Sequence, residues 1–325
     1  MSADRGGPAG SLATALAGIW EELGVDPARL MEEVSLALSA ALAEAGDPAA
    51  GQVTVRLSSA GGVEVVSTEG GEPVPVSLPP HVVARAARLA RVRLARQMEE
   101  ARRERLAAEA VEHRGQLMDG VVERQAGSTW FLRAGHLQAV LGPQEQIPGE
   151  RLQLGRHLKV VLLESRRGGP ELVEVRASRT SPLLLRRLLE VEVPEVSSGE
   201  VVIQAVAREP GVRAKVAVQS LRPGLDPKGA CIGPKSTRIR AVVGELAGEE
   251  VDIVEWAADP ATFVARALAP AAVSGVRLDE SGHRAVVEVA PELLSLAIGK
   301  EGRNARLAAR LTGWRIDIRV AEPAS

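Results

Sequence analysis

Leu30, Val34, Leu38 and Leu42 recur every fourth residue, which places them on one face of a helix. Asp26-Pro27 predicts an N-cap and first-turn proline for that helix, and Gly46 its end. A preceding helix is predicted over 12–23, stopped at Gly24, and residues 1–10 read as a disordered Gly/Pro/polar tail. Val53, Val55 and Leu57 then alternate with Thr54 and Arg56, and Gly61-Gly62 turns the chain into Val63 and Val65, the pattern of a hairpin. Pro79-Pro80 opens a long helix reaching Glu112, with Val83, Ala87, Leu94 and Met98 predicted on its buried side. Its other side carries Arg85, Arg88, Arg91 and Arg96 and turns acidic from Glu99. That side reads either as the solvated face of a connector or as a surface for a partner.

From residue 115 the pattern shortens to strands, predicted over 117–124, 129–134, 137–141, 158–164 and 171–176. Turn signals separate most of them, among them Gly142-Pro143, Pro148-Gly149 and Arg167-Gly168-Gly169-Pro170. Five strands in this span suit an OB-type barrel, a common nucleic-acid module. Alternation puts Trp130, Leu132 and Ala134 on one face and Phe131 with Arg133 on the other. An outward aromatic beside an outward arginine predicts a platform for a single-stranded base. The alternative is that Phe131 covers a loop or packs on the next domain.

The remainder is one unit written twice. Ala230-Cys231-Ile232-Gly233-Pro234-Lys235-Ser236 runs on to Val251-Asp252-Ile253, and Leu296-Ala297-Ile298-Gly299-Lys300-Glu301-Gly302 runs on to Ile316-Asp317-Ile318. In register, Arg240 matches Arg306, Leu246 matches Leu311 and Gly248 matches Gly313. Each copy opens on a helix announced by a cap and a proline, Ser181-Pro182 and Asp259-Pro260. Two strands follow, then the glycine turn, a helix and a closing strand. The order α-β-β-α-α-β with a GxxG turn between consecutive helices is that of the bacterial, type II KH domain, in which the turn clamps a nucleic-acid backbone. Glycines let the backbone take positive φ and lie close against a sugar-phosphate chain, and the helix N-terminus beyond favours phosphate.

Candidate RNA contacts in the second copy are Gly299, Lys300, Glu301, Gly302, Arg303, Asn304 and Arg306. In the first they are Gly233, Pro234, Lys235, Ser236, Arg238 and Arg240, with Phe131 and Arg133 on the barrel. Ser236 stands where a second glycine belongs. It is expected to N-cap the next helix and to leave a weaker or differently shaped clamp.

Composition narrows the chemistry. Net charge is −2 over 325 residues, so bulk attraction to phosphate is weak and contacts must be local. Residues 114–180 carry ten basic and seven acidic groups, against eleven and sixteen in residues 1–113 and nineteen of each beyond 180. There is no tyrosine, and Phe131 and Phe263 are the two phenylalanines, which favours backbone clamping over extensive stacking. The single cysteine, Cys231, excludes a disulfide framework and is expected to be buried. Five scattered histidines have no zinc spacing. No apolar run reaches a membrane span and no signal pattern opens the chain, so a cytoplasmic location is expected. Gly229 to Thr237 looks like a phosphate-binding P-loop, but Pro234 occupies its required glycine and the flanks read as helix. No catalytic group, metal or cofactor is expected.

From about Leu12 to Arg319 the chain resembles the NusA family of bacterial transcription elongation and termination factors. The resemblance is carried by Val193-Pro194-Glu195, Ala207-Arg208-Glu209-Pro210-Gly211, Asp252-Ile253-Val254-Glu255-Trp256, Asp259-Pro260-Ala261-Thr262-Phe263, Leu294 through Ile318 and, in the barrel, Glu145 through Arg151. It implies a multidomain α+β protein. An N-terminal α/β domain with a long linker helix (11–113) docks on RNA polymerase near the flap and the RNA exit channel, with Arg85, Arg88 and Arg91 as candidate contacts. A five-stranded OB barrel of the ribosomal S-one type (114–180) and KH domains at 181–257 and 258–320 then bind nascent single-stranded RNA, before a short tail at 321–325. The implied activity is modulation of pausing, intrinsic termination and antitermination, as a monomer, together with other Nus factors and without chemistry or membrane. An RNA chaperone or ribosome-assembly protein lacking polymerase contact is the alternative. Departures from the family are a drifted N-terminal domain, Arg133 where an acidic residue is usual, and Ser236. Because the sequence stops soon after the second copy, the acidic C-terminal repeats of some members, and autoinhibition by them, are expected to be absent.

Overall fold

A computed structural model describes residues 26–45, 47, 52–57, 63–67, 74–75, 78–167 and 173–321. The helix expected over 12–23, the N-terminal tail, residues 322–325 and the turns at Gly61-Gly62 and Gly168-Gly169 lie outside the described residues. The chain divides into two compact units, one up to Arg105 and one from Leu106.

In the first unit, helix α1 (Pro27–Glu44) buries Leu30, Val34, Leu38 and Leu42. Full burial of each such side chain is worth about 1.5–3 kcal/mol. The stripe faces Val53 and Val55 of an antiparallel sheet, β1 (Val53–Leu57), β2 (Val63–Ser67) and β3 (Val74–Pro75), and the first part of helix α2 (Pro80–Glu112). Two expectations fail. The Asp26 side chain makes no cap hydrogen bond. Met98 is exposed, because α2 buries Val82, Val83, Ala86, Ala87, Ala90 and Leu94 and the apolar stripe ends before it. The carboxylate of Glu33, buried in this unit, accepts from Arg93 Nε (2.9 Å) and Gln97 Nε2 (2.5 Å).

The second unit begins with the last turns of α2, whose Leu106 and Ala110 pack on a closed five-stranded barrel. Its strands are β4 (Leu117–Ala126), β5 (Thr129–Ala134), β6 (Leu137–Leu141), β7 (His157–Arg167) and β8 (Val173–Ser178), in the order β4-β5-β6-β8-β7. Leu132, Ala134, Leu137, Ala139, Leu141, Val160 and Val175 fill the interior. Strands β5 and β6 have the expected bounds, whereas β4 and β7 run longer than the sequence suggests because bulges at Val122/Arg124 and Leu162/Ser165 break the alternation without ending the pairing.

The first repeat is α3 (Pro182–Glu192), α4 (Pro194–Ser197), β9 (Val201–Glu209), β10 (Arg213–Ser220), α5 (Pro227–Ile232), α6 (Thr237–Glu245) and β11 (Glu250–Glu255). The second is α7 (Pro260–Ala267), β12 (Gly275–Asp279), β13 (Arg284–Val289), α8 (Leu294–Ile298), α9 (Arg303–Thr312) and β14 (Arg315–Val320). Each sheet has an antiparallel pair followed by a parallel one, β9-β10-β11 and β12-β13-β14. Ser181 and Asp259 cap their helices as the sequence predicts, accepting from the amides of Leu183 and Thr262.

Strand β10 is buried on both faces. Val216 and Val218 join the core of the first repeat with Leu184, Leu188 and Val242. Ala217, with Ala207 and Val254, joins the core of the second with Phe263, Val264 and Leu268. Three buried charges brace this region, two of them, Arg179 and Lys215, across its parts and Arg208 within the first repeat. Arg179, with no exposed side-chain surface, reaches Glu150 on the barrel side (2.7 Å) and both the Glu245 side chain (3.1 Å) and its carbonyl (2.6 Å) in α6. Arg208 chelates the buried Glu249, which also accepts from the Gly211 amide. Lys215 on β10 donates to Asp252 (3.0 Å) and to the carbonyl of Ala269 in the second repeat (2.9 Å).

Candidate nucleic-acid interface

The two glycine turns have the same backbone. Gly233 (φ 72°, ψ 170°) and Gly299 (φ 75°, ψ 167°) take a conformation nearly closed to other residues. Lys235 (50°, 30°) and Glu301 (58°, 23°) are left-handed, and so are Ser236 (60°, 27°) and Gly302 (72°, 14°). Serine therefore adopts the glycine geometry, and the differently shaped clamp expected of the first copy is not found. Nor does Ser236 cap α6: its side chain makes no cap bond, because a left-handed residue turns its side chain away from the helix amides. Thr237 Oγ1 instead donates to the Pro234 carbonyl (2.9 Å).

Each turn is pinned from behind. Five residues after the first glycine, Arg238 donates to the Ala230 carbonyl (2.7 Å) and to Glu195 (2.8 Å). Asn304, at the matching place, is buried and donates to the carbonyls of Leu268 (2.9 Å) and Ala297 (3.0 Å). A Cβ on Gly299 would lie 2.9 Å from the Asn304 amide nitrogen, so the glycine is set by close approach as well as by φ. Of these candidate RNA contacts, Arg238 thus turns its Nη1 and Asn304 its side-chain amide NH2 into the protein. Two residues later, Arg240 folds back onto the carbonyls of Lys235 and Ser236, and Arg306 onto that of Glu301 (3.3 Å).

What remains outward is cationic. Lys235 and Lys300 are exposed, and among the described residues neither has an ion-pair partner. Glu301 is exposed and pairs with Arg303 (3.1 Å). The first turn has one amide donor fewer, since Pro234 has no N–H where Lys300 has one. Beside the second turn runs a groove of about 400 Å³ lined by Ile298, Ala305, Ile316, Asp317, Ile318 and Arg319. Its lining mixes the apolar side chains of Ile298, Ala305, Ile316 and Ile318 with the charged Asp317 and Arg319.

On the barrel, the strand registers set Arg124, Phe131, Val140 and Arg176 side by side on the outer face. The Arg124 guanidinium lies 3.5 Å from the Phe131 ring centroid, while Arg133 is held by Glu123 (2.6 Å). The arginine paired with the aromatic is therefore Arg124, because a bulge after Val122 puts Arg124 opposite Phe131. A cleft of about 310 Å³ adjoins this row, lined by Val140, Gly142, Pro143, Gln144, Glu145, Glu174 and Arg176.

Comparison with known proteins agrees with this geometry. Residues 179–256 match a NusA-like first KH domain and residues 260–325 a NusA-like second KH domain. The chain is 41% identical over 252 residues to the transcription termination/antitermination protein NusA of Bacillus subtilis (strain 168), covering 77% of this chain and 67% of that one. It is 45% identical over 247 residues to NusA of Mycobacterium tuberculosis (strain H37Rv), covering 73% and 71%. The chain belongs to the NusA family. To NusA of Thermus thermophilus it is 44% identical over 233 residues, covering 70% of this chain and 59% of that one.

Within this NusA-family chain, the polymerase-contact candidates lie in the first unit, all exposed on α2: Arg85 pairs with Glu44, and Arg88 and Arg91 follow along the same helix. Gly229 to Thr237 is not a P-loop, since residues Pro227–Ile232 form a helix where that motif requires a strand. Cys231 is fully buried, and burial pushes its thiol up to about 11. Among the described residues no group of three or more metal-ligating side chains converges, and no helix is long and apolar enough to cross a membrane.

Arg124, Arg179, Glu209 and Lys215 escaped the sequence reading as parts of this surface or its supports. For Lys215 the signal was a charge inside the apolar run Ala214–Val218. For Glu209 it was the stretch Ala207 through Gly211 that carried the family resemblance.

Proposed function

We propose that the protein binds nascent single-stranded RNA along the outer barrel row and the two KH turns, and binds RNA polymerase through its first unit. In this way it modulates pausing, intrinsic termination and antitermination. The division of labour is residues 11–113 for polymerase, at the flap and exit channel, and 114–180, 181–257 and 258–320 for RNA. It acts by favouring certain polymerase and RNA conformations rather than by chemistry, in the cytoplasm and alongside other Nus factors. The observation that carries the reading is the pair of closely matched turn backbones, each presenting at the start of a helix an exposed lysine with no ion-pair partner among the described residues.

The test is in-vitro transcription by the cognate polymerase over a hairpin-pause template, with and without the protein. Longer pauses or more efficient termination are expected. No effect despite clear RNA binding would leave an RNA chaperone or ribosome-assembly protein instead. Changing Lys300 and Glu301 together to Asp should weaken RNA binding about 3–10-fold, since one clamp is one of several contacts. Unchanged affinity in a folded variant would remove the second turn from the surface.

A further inference from the structure

We infer that Glu209 is a resident competitor for RNA phosphate at the second turn: a carboxylate of the first KH domain that occupies the guanidinium groups of Arg303 and Arg306 and holds RNA affinity down. The inference rests on the reading of that turn as a phosphate clamp.

Glu209 is the last residue of β9 and only 18% of its side chain is exposed. It accepts from Arg306 Nε (2.6 Å) and Nη2 (3.2 Å) and from Arg303 Nε (3.3 Å), with Arg310 Nη1 at 3.9 Å. These arginines stand three and four residues apart on α9, hence on one helix face, and Arg303 is the first residue of that helix. The side-on grip of Arg306 on a carboxylate is the geometry a guanidinium uses for phosphate. The same guanidinium also touches the turn, through the Glu301 carbonyl (3.3 Å). The group that Glu209 holds is therefore part of the turn's own cationic rim.

Arg306 holds the Glu209 carboxyl below the usual glutamate range, so the competitor is ionised at neutral pH. Three guanidiniums against two carboxylates, Glu209 and the exposed Glu301 that also pairs with Arg303, leave one positive charge in excess, and Arg306 is the group a phosphate could share or take over. The first turn lacks this device. Arg240 makes the equivalent contacts to its turn carbonyls, and among the described residues no carboxylate pairs with it.

A purely structural Glu209, tying one KH domain to the next, makes the opposite prediction for RNA. Glu209→Gln keeps the shape and an acceptor oxygen for arginine and removes the charge. Binding of a labelled, unstructured single-stranded RNA is measured by fluorescence anisotropy with the full chain across a salt series. E209Q is expected to bind about 3–10-fold tighter at low salt, the gain of roughly one charge-assisted contact. Its log K against log salt should be steeper by about 0.7 for each arginine released to phosphate. Adding Arg306→Gln to E209Q should abolish most of the gain. Equal or weaker binding by E209Q with an unchanged melting curve overturns the inference, and so does a gain that survives in the double variant. Should E209Q fail to fold, Glu209→Asp, which withdraws the carboxylate by one methylene, carries the same comparison with a smaller gain expected. RNA binding by neither wild type nor E209Q would take down the reading of the turns, and the inference with it. Binding by wild type without a gain in E209Q takes down the inference alone.

Discussion

The two turns share a backbone and differ in nearly everything attached to it. One has proline, lysine and serine after its first glycine; the other has lysine, glutamate and glycine. Their dihedral angles nevertheless agree within about 15° at the three matched positions compared. The shape is therefore set by the first glycine, by the side chain packed behind it, and by an arginine folded over the carbonyls. The fourth residue sets how much strain the shape carries, not what it is. The copies differ chemically instead: one amide donor, the position of the exposed lysine, and a carboxylate on Arg306 that, among the described residues, has no counterpart on Arg240.

The largest expected effect concerns an aspartate that both copies carry. Asp252 is paired with Arg213 (2.9 Å) and the fully buried Lys215, whereas Asp317 pairs with the half-exposed Arg284. Asp252→Asn should cost about 3 kcal/mol, because it leaves a buried ammonium without its counter-charge. Asp317→Asn should cost less than about 1 kcal/mol. Burial pushes the Asp252 carboxyl up, but Arg213 and Lys215 outweigh it and hold the group below its ordinary value. The stability it contributes is thus present above the unfolded-state value and lost as pH falls through the folded one, below about pH 4. Urea melts at neutral and acid pH check both points. Similar costs for the two asparagine variants would show that the copies are braced alike.

A smaller gap is expected between the first glycines. Gly299→Ala forces a Cβ against the backbone of Asn304, while Gly233→Ala meets the side-chain carbons of Arg238, which can shift. Costs of about 3 and about 2 kcal/mol, respectively, are expected in thermal melts. The reverse order would show that the side chain behind the turn is the stiffer support. Smallest is the exchange at the fourth position. Ser236→Gly should stabilise by up to about 1 kcal/mol, and Gly302→Ser, where nothing lies within 4 Å of an added Cβ, should cost about the same. RNA affinity should survive both, since the backbone is already common to the two turns.

Much of this was legible in the sequence because the elements are locally written. Fourfold spacing at Leu30 to Leu42, prolines at helix starts and an in-register duplication fixed the element order and the location of both turns. What was not legible depends on partners distant in sequence. Asn304 follows a glycine turn and reads as an RNA contact, yet three-dimensional packing places its amide against Leu268 and Ala297. A bulge after Val122 gives Phe131 a different arginine from the one that simple alternation selects. No periodicity reveals that Glu209 meets a helix nearly a hundred residues later. Such ion pairs depend on how one repeat lies against the other.

The two-sided burial of β10 has a consequence for the order in which the chain is made. The first repeat leaves the ribosome with Ala217 and Ala207 bare and Lys215 lacking its acceptor at Ala269, and it must wait for the second before that face is covered. The repeats descend from one sequence pattern, but in synthesis they are not equals: the first is a half-finished surface and the second is what finishes it.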